Sequence, residues 1–247
     1  MKNEAERAIG VVPRPVLAVL IAAFCLQVAW QWQLPKPVAR AEALGDPPAP
    51  AALRVAALGE PIVLAQMTML YLQAFDNQPG VSIPFRDLDY GRVIAWLDAI
   101  LDLDPVGQYP LLMASQIYGQ VPDLTRQRRM CEFVRRQFER DPDRRWRWLA
   151  HCAIMAKHRL NDRPLALSYA EAITAKARRA SGWARQMHIF ILEDLGEIEA
   201  AKVLLGGLLA SGEVTDSNEI HFLTERLEKL EAAGKSSPPS RVRQPGS

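Results

Sequence analysis

Asp-Pro occurs at 104–105 and again at 141–142, and tryptophan at 146 and again at 183; both pairs lie 37 residues apart. Two independent markers with one period predict a chain built by repeating one structural unit. The unit is plainest over residues 146–209. Trp146, Leu149, Ala153 and Ala156 are spaced by threes and fours, so they share one face of a helix. Asn161-Asp162-Arg163-Pro164 breaks that helix, and Leu165, Tyr169, Ala172 and Ile173 restart the pattern. Trp183, Met187, Phe190 and Ile191 begin it again. A break at Leu195-Gly196 follows, and then Ile198, Ala201, Leu204, Leu205 and Leu208. Paired helices at a fixed period predict a solenoid, which offers a binding surface rather than a reaction centre.

The same pattern extends upstream. Pro61 suits the first turn of a helix running to about Ala74, with Ile62, Ala65, Met69 and Leu72 on one face. A loop with Pro79-Gly80 and Pro84 follows. Tyr90, Val93, Leu97, Ile100 and Leu101 mark the next helix. Leu111, Ala114, Ile117 and Tyr118 mark one over 110–119, and Cys131, Val134 and Phe138 one over 124–140. Ile220, Leu223, Leu227 and Leu230 mark a final, capping helix. Strand-like alternation is scarce, so the fold class is all-α.

Residues 15–32 carry no charge, and only Gln27 and Gln31 among them are polar. As a helix they span about 27 Å, close to the hydrocarbon thickness. Trp30 and Trp32 stand at the end, where indoles favour the membrane interface. The alternative, a buried core helix, is disfavoured because the stretch has no polar face and lies next to the terminus. The small-x-small triplet Ala39-Arg40-Ala41 lies well past the apolar run, so an uncleaved anchor is favoured over a cleaved signal. Lys2, Arg7 and Arg14 before the span, against Lys36 and Arg40 after it, place the N-terminus in the cytoplasm and the bulk of the chain outside. The expected location is thus the inner (plasma) membrane, crossed once, with a periplasmic or extracytoplasmic repeat domain. Five prolines between 34 and 50 suggest a stiff tether. The expected divisions are a cytoplasmic tail at 1–14, an anchor at 15–32, a tether at 33–52, a helical repeat domain at 53–233 and a disordered tail at 234–247.

Several stretches resemble the tetratricopeptide repeat family. In that family the second helix of each repeat follows a Gly-Asp/Asn-Tyr turn, then small or apolar residues at set spacing, then proline. Leu195-Gly196-Glu197-Ile198-Glu199-Ala200-Ala201, with Leu205 and Leu208, matches that half well. Tyr90, Val93, Leu97, Ile100 and Pro105 share the spacing; Asn161-Asp162, Ala166 and Ala170 match in part. The first helices depart from the family's Trp-Leu-Gly-Tyr series, and the unit is longer than the usual one of about 34 residues. The resemblance covers four repeats over about 60–212. It implies a right-handed solenoid of about four helix-turn-helix repeats with a C-terminal capping helix. It also implies that the first helix of each repeat lines a concave side, where a peptide or helix of a partner would lie. The implied partner-binding residues are Tyr109 and Gln116, Arg147 and His151, and Arg185 and His188.

Nine arginines face five acids between 122 and 147, a local excess of +4 in a chain whose net charge is +2. Two readings stand: a solvated helix face, or a basic strip, including Arg144, for an acidic partner segment or anionic headgroups. Nucleic acid is not expected, given the anchor and the interleaved acids. There is no glycine-rich phosphate loop, Gly-x-Ser-x-Gly elbow or His-Glu-x-x-His pair. The four histidines are scattered, so no catalytic residue, metal site or cofactor is expected. Cys131 and Cys152 flank the Asp141-Pro142 turn at ten and eleven residues, which sets them opposite one another in a helical hairpin. They are either buried thiols or, outside the cytoplasm, a disulfide.

These observations favour a non-enzymatic, membrane-anchored adaptor for a protein or peptide partner. The competing expectation is a permanent structural or assembly subunit of an envelope complex, of secretion, pilus or cytochrome-maturation type. A structural subunit should expose an apolar patch, and an adaptor a polar groove.

Overall fold

The computed structural model describes residues 13–33 and 41–236. Most of the expected N-terminal tail, residues 34–40 near the start of the expected tether and residues 237–247 of the expected C-terminal tail lie outside the described residues. Eleven α-helices dominate what is described, with two-residue strands at Asn77–Gln78 and Val81–Ser82 as the only β-structure. They fall into two units, with α1 in the first and α2–α11 in the second. Helix α1, Arg14–Gln33, is long and apolar enough to cross a membrane, and it has no amphipathic division and no buried residue.

The second unit comprises α2 (Pro50–Ala56), α3 (Pro61–Ala74), α4 (Tyr90–Leu103), α5 (Tyr109–Gln116), α6 (Leu124–Arg140), α7 (Pro142–His158), α8 (Arg163–Lys176), α9 (Gly182–Leu195), α10 (Ile198–Ala210) and α11 (Ser217–Ser236). Local sequence sets most of the starts. Proline stands in the first turn of α3, α5 and α7, where a missing N–H costs nothing. Aspartate caps α4, α6 and α8: Asp89 accepts from the amides of Gly91 and Arg92, Asp123 from Arg126, and Asp162 from Leu165. Helix α9 ends at Gly196, whose φ of 82° is left-handed. Its N–H bonds the Glu193 carbonyl while that of Glu197 bonds the Leu192 carbonyl, which satisfies two orphan acceptors.

Within the second unit each helix packs on its chain neighbours, with further contact between α4 and α6 and between α5 and α7. Helices α6 and α7 run antiparallel around Asp141: Gln137 meets Arg145, and Cys131 meets Cys152, at near-equal distances along the chain from the turn. Alternate helices are also tied, at recurring separations. Gln73 of α3 donates to the Tyr109 hydroxyl of α5, 36 residues on. The Trp148 indole of α7 donates to Gln108 beside α5 at 2.8 Å, 40 residues apart. Gln137 of α6 donates to Asp98 of α4 (39 apart), and Lys176 of α8 to Glu139 of α6 (37 apart). Trp146 and Trp183 join α7 to α9 edge-to-face at 5.8 Å, and Arg226 joins α11 to Glu193 of α9.

The apolar interior forms two clusters. The larger runs from Leu44 to Ile191 and includes Leu72, Val93, Leu97, Leu111, Phe133, Phe138, Leu149 and Ile173. Each such side chain contributes about 1.5–3 kcal/mol by leaving water. The smaller holds Ile189, Leu192, Ala201, Leu205, Leu223 and Leu230, from α9–α11.

Several local expectations shift: Trp183, Leu204 and Ile220, expected inward, are exposed. Helix α5 stops at Gln116 and gives way to a 3-10 turn at Tyr118–Gln120; that turn brings Gly119 so close to the chain that a Cβ there would lie 2.8 Å from the Ala114 carbonyl oxygen, so it requires glycine. Trp148, not Trp146, is buried on the inner face of α7. The last part of the proline-rich stretch is docked: Leu44 is buried, its carbonyl accepts from Arg92 at 2.6 Å, and the Gly45 carbonyl accepts from the Trp96 indole at 2.8 Å.

Candidate functional site

The residues implied to line the first helices fall into distinct environments. Tyr109 opens α5, with its ring half-exposed. With Ala65, Met69, Leu70, Gln73 and Pro110 it lines a cleft of about 450 Å³ between α3 and α5. Gln116, at the end of the same helix, is exposed. Arg147 is exposed and lays its guanidinium over the Trp146 ring, 5.8 Å from the centroid. His151 is partly buried, with Nε2 3.2 Å from the Gln120 side-chain amide; burial pushes its pKa down.

Arg185 and His188 come together. Both line a cleft of about 550 Å³ formed mainly by α9, α10, the turn after α10 and the start of α11, with Gln186, Glu213, Asp216 and Glu219 among its other polar groups. Arg185 pairs with Glu213 at 3.0 Å. His188 is buried, with Nδ1 2.7 Å from the Arg185 carbonyl oxygen and 3.0 Å from the Thr174 hydroxyl. Burial lowers its pKa, and the Arg185 carbonyl and the Glu171 charge oppose that shift. The structure therefore leaves no continuous row of free groups from Tyr109 to His188. It places one cleft at α3–α5 and another at α9–α11, with Arg147 and His151 between them along the chain.

The arginine run is largely engaged within the fold. Six of its nine members hold a carboxylate: Arg126 with Asp123, Arg128 with Asp162, Arg135 with Glu139, Arg136 with Asp98, Arg140 with Asp102 and Arg144 with Asp141. Arg145 behaves differently. It is buried and donates to the Gln137 carbonyl and side chain at 2.7 Å each and to the Pro105 carbonyl at 2.8 Å; desolvation lowers its pKa. This structural role is readable in retrospect, because Arg145 lies four residues before Leu149 and seven before Cys152, on the apolar face.

Cys131 and Cys152 are both buried thiols on facing helices; burial, then the neighbouring Cys131, pushes the Cys152 thiol up. Among the described residues no group of three His, Cys, Asp or Glu side chains is placed to hold a metal ion.

The sequence reading missed an apolar outer face on α3. This helix carries no charged residue, and Ile62, Val63, Met67, Leu70 and Tyr71 are exposed, Met67 by 63% and Leu70 by 64%. Ile62, expected inward, belongs to this outer stripe. Val55 of α2 and Leu58 beyond it are exposed nearby in the chain. The signal was present as a helix apolar on every side, which periodicity alone cannot orient.

No protein-family model, curated protein or solved structure matches the chain.

Proposed function

We propose that this chain is a single-pass membrane protein whose α2–α11 unit is a tetratricopeptide-like array that holds a segment of a partner protein and performs no chemistry. The observation that carries the reading is the recurrence of ties between alternate helices at separations of 36 to 40 residues: Gln73–Tyr109, Asp98–Gln137, Glu139–Lys176 and Gln108–Trp148. Ties at a near-constant interval are what stacking of similar units produces. In this reading α3, α5, α7 and α9 are first helices, and α4, α6, α8 and α10 are second helices. The clefts at Tyr109 and at Arg185–His188 are the stations where a partner segment is gripped. The apolar α1 anchors the unit to the inner membrane, and the basic N-terminus keeps the array on the extracytoplasmic side.

A photo-crosslinking amino acid tests this in the full-length chain in native membranes. Placed at Tyr109, Gln116, Arg147 or Arg185, it should capture one common protein. At Glu132 or Ser168, exposed on second helices, it should capture none. Capture from second-helix positions alone would overturn the adaptor reading.

The α3 face favours a second reading, a permanent subunit of an envelope complex. An uncharged helix with five large exposed apolar side chains resembles the half of an interface that is buried on assembly. That reading predicts that the chain leaves gently solubilised membranes only as part of a stoichiometric complex, and that it aggregates when expressed alone.

A further inference from the structure

We propose that Cys131 and Cys152 form a disulfide in the cell, a covalent staple between α6 and α7. Their position carries the inference. The two helices are joined directly at Asp141, and the cysteines stand ten and eleven residues from it on facing sides of the hairpin. Both side chains are buried in the interior that these two packed helices share. A disulfide asks only that the two sulfurs close to about 2.05 Å, with little movement of backbones that already face each other. Both residues are almost wholly buried, at 1% and 0% exposure, so no other thiol can reach either one in the folded state. The third cysteine, Cys25, lies in α1 and is exposed.

Burial also sets the order of events. A thiol must ionise to attack, and the Cys152 thiol, dry and raised, stays protonated once the core has closed. Oxidation therefore precedes completion of the α6–α7 hairpin and uses a disulfide-bearing oxidant, either a thiol–disulfide oxidoreductase or a small-molecule disulfide. One cysteine thiolate attacks a sulfur of the oxidant, breaking its S–S bond and releasing one oxidant thiolate, which takes up a proton. The second cysteine thiolate attacks the protein sulfur of the mixed disulfide, forming the Cys131–Cys152 bond and releasing the other oxidant thiolate. Two protein thiols are oxidised by two electrons, and one oxidant disulfide is reduced to two thiols. The buried product is then shielded from reductants.

The inference rests on the extracytoplasmic placement proposed above, and its test separates the two. Cells producing the full-length chain are quenched in acid. The protein is then unfolded and alkylated with N-ethylmaleimide without reductant, and weighed. The expected result is a single adduct, on Cys25, together with a linked pair of peptides containing Cys131 and Cys152. Prior reduction should give three adducts and remove the linked pair. Cys152→Ala should show two adducts without reduction, because Cys131 loses its mate. A C-terminal alkaline phosphatase fusion reports the side of the membrane in parallel. Three adducts without reduction in a phosphatase-active chain would overturn the disulfide alone. Three adducts in a phosphatase-inactive chain would overturn the disulfide and the placement together.

Discussion

Arg145 is held by the Gln137 carbonyl, the Gln137 side chain and the Pro105 carbonyl, away from water. Arg145→Ala strands those acceptors and should lower unfolding free energy by about 2–4 kcal/mol in denaturant titration. Its neighbour Arg144, exposed and paired only with Asp141 one turn earlier, should tolerate alanine within about 0.5 kcal/mol. Equal effects at the two positions would contradict this division. His188 gives a pH test. Its folded pKa lies below the unfolded value of about 6.5, so the unfolded chain binds the proton more readily. Stability should be full above about pH 7 and fall as the pH drops through 6.5 toward the lowered folded pKa, with His151 contributing in the same direction. His188→Gln should flatten that decline in thermal melts taken from pH 7.5 to 5. The family resemblance placed His188 on a partner-binding lining; in the structure it lines the α9–α11 cleft and is at the same time a buried group bonded to the Arg185 carbonyl. Spacing could not separate these roles, because both leave a polar residue on a helix that also carries apolar ones.

At the scale of elements, legibility followed the contrast between helix faces. Helices α4 and α6 alternate sharply, and every inward residue expected of them is buried: Tyr90, Val93, Leu97, Ile100 and Leu101, then Cys131, Val134 and Phe138. Helix α7 carries tryptophan at both 146 and 148, and the expected Trp146 is only partly buried, against Trp183, while Trp148 is the one in the core. Helix α3 has no polar stripe and could not be oriented. Its outer face makes a prediction of its own: Met67→Gln with Leu70→Gln should leave the unfolding free energy nearly unchanged while reducing the size of the detergent-solubilised species in sedimentation. A loss of stability comparable to a core truncation would mean that those residues are internal. The turn between α9 and α10 was legible in detail, since Gly196 sits where a helix must end left-handed. Gly196→Ala should cost about 1 kcal/mol, measured by urea unfolding, although nothing lies within 4 Å of the added Cβ, because the penalty is in φ.

For the molecule as a whole, the helical class and the single N-terminal apolar helix were both readable from composition and run length. The candidate site was less so, because clefts depend on which helices leave gaps between them, and that is set by side-chain volume in three dimensions. The two buried clusters have a further consequence, for how the protein comes apart. Helix α10 buries only Ala201 and Leu205, contains Gly206-Gly207, and leans on α9 and α11 through the smaller cluster. It is thus poorly coupled to the interior that holds α4–α8. The C-terminal helices should open as a cooperative group while the remainder stays closed. Hydrogen exchange should show amides of α10 and α11 losing protection at a lower free energy than those of α6–α8, and a protease should first nick the chain near Gly212. Because the Arg185–His188 cleft is walled by these same helices, its lifetime would be that of a door rather than a wall: closed most of the time, and opening on the timescale of local unfolding.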